Sequence, residues 1–421
     1  MQLSWKLLFR LFSRIRSNGI RDVSQRLARR LVRWIAANFR TADLDFPLLA
    51  HDVADSRRVP STVPAPARAA GPLRVAWLCT PPAPGSGGHT TLFRMVEGLE
   101  RRGHRCTILL YNRHRADLNY DAGVIRRHWP QLAAEITYIP DRIQGYDACV
   151  ASSWETAHVL ASRGDQGLHR FYFVQDYEPY FYPRGSLYAL AEDTYRFGFR
   201  HIAVGHMVQE LLQREIGADA AVAPFGCDTG IYKLENLGQR SGVAFFARPD
   251  VDRRGFMLAK LALAEFHRRH PEQPITVFGD RIVNWEVPHR YAGRLSPAEL
   301  NLLYNQSAAG LAMSFTNVSL VPEEMLAAGM QPVVNDSLLA RRGLANEFVL
   351  WAPATPAGLA DALSGAVETP LEASQIALMA ASVQPGWEAA QRLVAGEIEA
   401  TCSGTAAAPA RPAVAAGDSH E

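Results

Sequence analysis

Two adjacent glutamates, Glu323 and Glu324, follow Pro322 at the start of the small-residue segment "LVPEEMLAAGM". Proline suits the first turn of a helix, and carboxylates near the positive end of a helix are favoured in their ionised form. One of the pair can serve as a helix-start acid. The other can accept hydrogen bonds from a sugar or ribose hydroxyl. The opposite charge lies upstream in "FFARPDVDRRGF", where Arg248 directly follows a strand-like run and Arg253 and Arg254 precede a glycine and a helix. Guanidinium forks grip a diphosphate bidentately and stay charged at any working pH. At the C-terminal end of a strand they would face a ligand cleft; solvated surface arginines are the plainer alternative.

A third element is "TPPAPGSGGHTTLFRMVEGLERRGH", in which Gly85, Gly87 and Gly88 separate a strand from a helix beginning near Thr90. Glycines admit a ligand close to the backbone, and a helix N-terminus offers unpaired N–H groups to an anion. The spacing is not the dinucleotide fingerprint, because the third glycine is missing at its offset, so a simple tight turn stays open. His89 and His206 are the histidines nearest such a site, and neither has a companion to complete a metal site. No metal is expected.

Groups like these need a scaffold that brings loops together. Short β-branched or aromatic runs alternate with amphipathic helices, as in a doubly wound α/β chain. "LRVAWLC", "RCTILLYN", "ACVAS", "RFYFVQ", "HIAVG" and "AAVAP" predict one parallel sheet. After Gly238 the cycle restarts with "GVAFFA", "PITVFG", "RYAG", "AAGLAMS", "QPVVN" and "FVLWA", with helices over 256–269 and 297–305. Two Rossmann-like domains, 73–238 and 239–384, would face each other across a cleft at their strand C-terminal ends, where ligands of such sheets bind.

With 421 residues, 48% hydrophobic and 20% charged, the chain has the composition of a globular protein of about two domains. The net charge is only +2, yet residues 1–56 open with a strongly basic segment. Leu3, Leu7, Leu8, Leu11, Phe12 and Ile15 share one helical face beside Lys6, Arg10 and Arg14. This amphipathic leader either packs on the protein's own body or lies on an anionic bilayer surface, the reading preferred here. Its charges interrupt any secretory signal, and no run reaches the roughly 20 apolar residues of a spanning helix. Five widely separated cysteines suit neither zinc nor a disulfide framework and fit a reducing cytoplasm. Residues 57–72 form a Pro/Ala-rich linker, and the tail 401–421 has the same character; both are expected to be poorly ordered.

The ordered set of segments resembles family-4 retaining glycosyltransferases of the GT-B fold, over roughly residues 73–400. "SLVPEEMLAAGMQPVV" resembles their donor-binding signature, the glycine segment their first loop and helix, and "VAPFGCDTGIY" their interdomain "P-x-G-x-D" stretch. "AGRLSPAELNLLYNQSAAGLAMS" is similar to another family stretch, and "PGWEAAQRL" to the closing helix that returns to the first domain, here 385–400. "RFYFVQDYEPYFYPRGS" looks like a subgroup that includes bacterial rhamnosyltransferases of cell-surface glycans.

The resemblance implies a first, acceptor domain and a second, nucleotide-sugar domain. It assigns donor contacts to Gly87, Gly88, Arg248, Arg253, Arg254, Gly279, Thr316, Ser319, Leu320, Val321 and Glu324. Arg248 with Arg253 or Arg254 would hold the diphosphate, amides of residues 319–321 the distal phosphate, and Glu324 the ribose. The family's first acid, eight positions before Glu324 and beside the transferred sugar, falls here on Thr316, which is no acid. Acceptor contacts fall to Gln175, Asp176, Glu178 and Tyr180, with Tyr177, Phe181 and Tyr182 to stack on sugar rings, and catalytic roles to Asp176, Glu178 and Arg248. The implied reaction is metal-independent, front-face transfer with no cofactor beyond the sugar nucleotide, for which dTDP-rhamnose is the leading donor. Its partners would be a glycan or lipid-linked glycan acceptor and, through residues 1–40, an anionic membrane surface; no nucleic acid is expected. The place of action would be the cytoplasm or the inner face of the cell membrane. Two rivals stand beside this reading: a nucleotide-sugar epimerase of the same fold, and a catalytically silent glycan-binding subunit.

Overall fold

A computed structural model describes residues 30, 31, 34, 46–59, 71–114, 117–318 and 320–406. Most of the basic leader, most of the linker and the tail beyond 406 lie outside the described residues. The chain divides into a unit over Met1–Ala50, of which few residues are described, and one over His51–Glu421 that carries both sheets. Among the described residues, no helix is long and apolar enough to cross a membrane.

The first sheet has seven strands: β1 (Arg74–Cys79), β2 (Arg105–Leu110), β3 (Glu135–Tyr138), β4 (Ala148–Ala151), β5 (His169–Val174), β6 (Arg200–Val204) and β7 (Ala220–Ala223). They lie in the order β3-β2-β1-β4-β5-β6-β7, every pair parallel. The second has six: β8 (Val243–Ala247), β9 (Ile275–Gly279), β10 (Arg290–Gly293), β11 (Ala309–Leu311), β12 (Gln331–Asn335) and β13 (Leu350–Ala352), ordered β10-β9-β8-β11-β12-β13. In each the order reverses beside the first strand, which opens a crevice at the strand C-terminal ends. Central strands such as β4 and β12 are buried along their whole length, so they read as unbroken apolar runs.

Two strands differ from the sequence reading. The strand β3 was not anticipated: it is four residues on the sheet edge, half exposed, and too short to show a period. "AAGLAMS" contributes only Ala309–Leu311 to the ladder, and the chain then leaves the sheet as a loop.

Helices of the first domain are α1 (Gly87–Arg101), α2 (Leu118–His128), α3 (Trp154–Arg163), α4 (Ser186–Asp193) and α5 (His206–Ile216). The second adds α6 (Phe256–Arg269), α7 (Pro297–Gln306), α8 (Val321–Ala327), α9 (Leu338–Gly343), α10 (Pro356–Glu368) and α11 (Ala373–Ala381). The last helix, α12 (Glu388–Cys402), returns to the first domain, where Val394, Ala395, Ile398 and Cys402 join Val75, Trp77 and Leu99 in one core. Each large aliphatic side chain buried this way contributes about 1.5–3 kcal/mol, so α12 is an integral part of that domain. Thr401 and Cys402, expected in the tail, belong to this helix because Cys402 is buried in that core.

The two passages between the domains touch. Gly386 N donates to the Cys227 carbonyl at 2.8 Å, and a Cβ on Gly226 would stand 1.9 Å from the Gly386 carbonyl oxygen.

Candidate functional site

At the end of β8, Arg248 is exposed, its guanidinium 5.6 Å from the Phe246 ring. A short 3-10 turn, Asp252–Arg254, follows, and Gly255 opens α6 at φ 66°. Only glycine suits this point: the φ is left-handed, and a Cβ would meet Met313 Cε at 2.8 Å. The close approach seats the arginine turn on the loop after β11. There Phe315 N donates to the Arg253 carbonyl at 3.0 Å, and Arg254 Nη1 makes a long contact of 3.5 Å to the Asn317 carbonyl.

The same loop reaches the first domain. Asn317 Nδ2 donates to the carbonyl of Gln175, just beyond β5, at 2.7 Å, and to that of Val204, the last residue of β6, at 3.3 Å. Beside Gln175, Asp176 places Oδ2 3.8 Å from Arg253 Nε, and the Arg253 guanidinium lies 4.1 Å over the Phe181 ring. Burial pushes the Asp176 carboxyl up from its ordinary range, while Arg254, the nearby Thr316 hydroxyl and Arg253 oppose that shift. Burial likewise lowers Arg254, with Asp176 opposing and Arg253 and Arg248 adding to it. Gly88 faces the same spot, since a Cβ there would lie 3.6 Å from the Gln175 side-chain oxygen. The structure therefore gathers Gly88, Gln175 and Asp176 with Arg253, Arg254, Thr316 and Asn317, and Arg248 acts on this group through Arg254.

Glu324 keeps different company. Burial, then Asp228, raises its carboxyl to about 7, against the pull of Arg94. Arg94, on α1, is ion-paired with Asp228 of the interdomain passage, and its guanidinium lies 4.7 Å over Trp387 of the other passage. This acid thus stands at the junction of the domains. Neighbouring Glu323 is also raised by burial. Both carboxyls were expected to be held ionised by the helix; burial outweighs the dipole of a seven-residue helix.

Several expected contacts are corrected. Glu178 does not face the cleft: it is 5% exposed, and its Oε2 accepts from Trp154 N at 2.5 Å and from the Tyr172 hydroxyl at 3.2 Å. It serves the unpaired first turn of α3. Tyr177 is fully buried in a stack with Tyr195, which in turn stacks on Tyr172. Tyr180 donates to Glu215 on α5 at 3.2 Å, and Tyr182 receives the Trp154 indole N–H at 3.1 Å. Of the four aromatics, Phe181 alone carries a site residue, beneath Arg253. His89 is a loop fastener: Nε2 donates to the Thr80 carbonyl and Nδ1 accepts from Ser86, each at 2.9 Å. Burial lowers its pKa, consistent with a neutral ring. His206 is exposed at the start of α5.

Gly87 is exposed at the start of α1. Gly279 ends β9 at φ 92°, where a Cβ would strike the Phe246 ring at 2.6 Å, so packing alone requires glycine. Leu320 packs against the core of the first domain, Val321 opens α8, and Ser319 lies outside the described residues. Among the described residues, no group of three or more His, Cys, Asp or Glu could hold a metal ion.

Asn317, Arg94 and Trp387 were not anticipated as site residues. Asn317 lies in the loop between β11 and α8, and an amide within an otherwise apolar and hydroxyl-bearing stretch was the available signal. Arg94 and Trp387 carried none, because each is one basic or aromatic residue among many on its helix face.

Residues 241–364 match the family described as WsaF, C-terminal domain, and residues 137–207 that described as WsaF, N-terminal domain. The chain is 30% identical over 327 residues to the O-antigen biosynthesis protein RfbC of Myxococcus xanthus; the match covers 72% of this chain and 25% of that one. The chain thus spans about a quarter of that relative. Among solved structures, a glycosyltransferase from Rickettsia africae aligns with a TM-score of 0.55 at 11% identity, covering 79% of this chain and 99% of that one. A protein from Listeria monocytogenes provisionally assigned as a UDP-N-acetylglucosamine 2-epimerase aligns at 0.54 and 12%, covering 82% and 99%. At such identities the structural likeness speaks to fold alone. The fold is two Rossmann-like parallel-sheet domains, as in GT-B glycosyltransferases, and both halves of the chain match the two domains of one family, WsaF.

Proposed function

We propose that this chain transfers a sugar from a nucleotide-diphosphate donor to a growing bacterial surface glycan, with a dTDP-linked 6-deoxyhexose such as rhamnose as donor. The observation that carries the reading is the meeting of Arg253 and Arg254 with Asp176 and Gln175 at strand C-terminal ends of both sheets. Fixed guanidinium charge at that point offsets the negative charge that grows on the leaving diphosphate as the sugar becomes cation-like. Arg248, exposed beside them, extends the cationic surface toward the nucleotide. Glu324 is positioned for ribose hydroxyls in this reading, and the first domain presents the acceptor. The leading choice of rhamnose rests on the sequence resemblance of the β5 segment to rhamnosyltransferases.

The experiment is turnover with dTDP-L-rhamnose, UDP-glucose and GDP-mannose, each with and without a lipid-linked glycan acceptor. Acceptor-dependent release of dTDP supports the proposal. A new sugar nucleotide formed without acceptor would favour the epimerase, and binding without turnover in any mixture a silent subunit.

A further inference from the structure

Two passages join the domains: residues 224–242 between β7 and β8, and residues 382–387 between α11 and α12. One side chain of the first domain meets both. Arg94, on α1, is ion-paired with Asp228 of the first passage, and its guanidinium lies 4.7 Å over the Trp387 ring in the second, a cation–π contact. The backbone beneath it is fixed. Gln391, on α12, donates Nε2 to the Arg94 carbonyl at 2.7 Å and accepts from Arg101 Nη2 at 2.8 Å, and a Cβ on Gly98 would stand 2.8 Å from Gln391 Cβ. Helices α1 and α12 therefore move as one body, from which the Arg94 side chain reaches across the hinge.

The second domain comes to the same point. Leu320, at the head of α8, packs against the core that includes Trp387. Glu324, one turn on, feels Asp228 and Arg94, while Tyr232 and Cys227 of the first passage and Tyr304 on α7 feel Glu324 in turn, and Glu323 also acts on Cys227. Arg94 is the cation of this group, shared by two acids, Asp228 of the passage and Glu324 of the second domain. Without it, two like charges would face each other where the domains must turn. At its N-terminal end α1 carries Gly87 and Gly88, so whatever holds Arg94 also sets how far that loop stands from α8.

We propose that Arg94 is a positioning residue: by pairing with Asp228 and stacking on Trp387 it fixes the angle between the two domains, and with it the approach of the glycine loop to the donor helix α8. Hinges are set by a few residues at element ends, remote from the chemistry. The effect of Arg94 on turnover rests on the donor reading above, whereas its effect on the angle does not.

The test is pulsed electron resonance on the full chain, with spin labels at Tyr120→Cys on α2 and Leu302→Cys on α7, both exposed; the five native cysteines are buried and should take up little label. Wild type should give one narrow distance between the labels. Arg94→Gln should broaden and shift it, and adding Asp228→Asn, which removes the like charge, should restore part of the narrowness. A residue that merely supports the fold would not be rescued in this way. The same narrow distance in Arg94→Gln as in wild type, even at a lowered melting midpoint, would overturn the proposal. Asp228→Asn by itself is isosteric at a part-exposed position, and carries the comparison, with a smaller broadening, if Arg94→Gln does not fold. In turnover with dTDP-L-rhamnose, UDP-glucose and GDP-mannose, Arg94→Gln should raise the donor KM by about tenfold and leave kcat within about twofold. A fall in kcat at unchanged KM would also overturn the positioning role. Broadened distances with no turnover of the three compounds by wild type would keep the hinge role and remove the donor reading.

Discussion

Asn317, in the second domain, donates its side-chain amide to the backbone carbonyl of Gln175, in the first, at 2.7 Å. A second, longer bond from the same nitrogen reaches Val204 O. One side chain thus pins a loop of one sheet to the strand ends of two neighbours in the other. Replacing the amide nitrogen by a carboxylate oxygen, Asn317→Asp, sets an anion against two carbonyls. We expect a loss of about 1–3 kcal/mol in urea unfolding, and more from Asp than from Ala at this position. Equal effects of the two substitutions would argue against the pin.

Arg254 and Asp176 sustain each other in a poorly solvated place. Removing Arg254 leaves the Asp176 carboxyl with Arg253, at 3.8 Å, as its remaining cationic neighbour, and losing part of a buried group's compensation costs about 1–3 kcal/mol. Arg254→Ala should therefore destabilise the protein by about that much, and Asp176→Asn added to it should recover part of the loss. Titration with dTDP should show no recovery of binding. Additive losses in chemical denaturation would mean that the two side chains do not interact.

Glu324 has a testable pH dependence. Its folded pKa, about 7, lies above the ordinary 4.5, so the folded protein binds more protons than the unfolded chain between these values. The stabilising contribution is complete below about 4.5 and is lost as pH rises through about 7. Glu324→Gln should flatten that decline and melt higher than wild type at pH 8, by up to about 3 kcal/mol, while weakening the sugar nucleotide. Parallel melting curves for the two proteins from pH 5 to 8 would rule this out.

Glu178 separates a structural from a catalytic acid. Burial first, then Glu155, raises its carboxyl well above the ordinary range, and its Oε2 accepts from Trp154 N and the Tyr172 hydroxyl. Glu178→Gln keeps an acceptor for Trp154 N and should leave turnover and stability nearly unchanged, within about 1 kcal/mol, whereas Glu178→Ala should destabilise by about 1–3 kcal/mol. A collapse of kcat in the glutamine variant at full stability would restore a chemical role.

Gly226 has no room for a methyl group, since the Gly386 carbonyl would lie 1.9 Å from it. Gly226→Ala must push apart the two passages between the domains. A fall in the melting midpoint is expected, together with a higher donor KM. Gly87→Ala, where nothing lies within 4 Å of a new Cβ, serves as the control and should melt near wild type.

Much of the scaffold was legible because parallel strands buried on both faces leave unbroken apolar runs, as in "VAFFA" and "QPVVN". The edge strand Glu135–Tyr138 left no such run. The arginine turn was legible as a basic pair before a glycine at a strand end, and the structure sets it beside Asp176. The aromatic run 177–182 misled for a physical reason: a tyrosine that fills a core and one that stacks on a sugar have the same composition, and Tyr177 went inward onto Tyr195.

Local spacing was enough for most strands of the two sheets, for the helices beginning near Thr90 and over 256–269 and 297–305, and for the cationic turn, since these follow from period and from glycine's freedom within a few residues. The pairings across the domains were not encoded locally. Asp176 meeting Arg253, Asn317 holding Gln175, and Glu324 meeting Asp228 join residues 77, 142 and 96 positions apart. Such contacts depend on how two finished domains are set against each other, and burial at that seam then sets which charges persist.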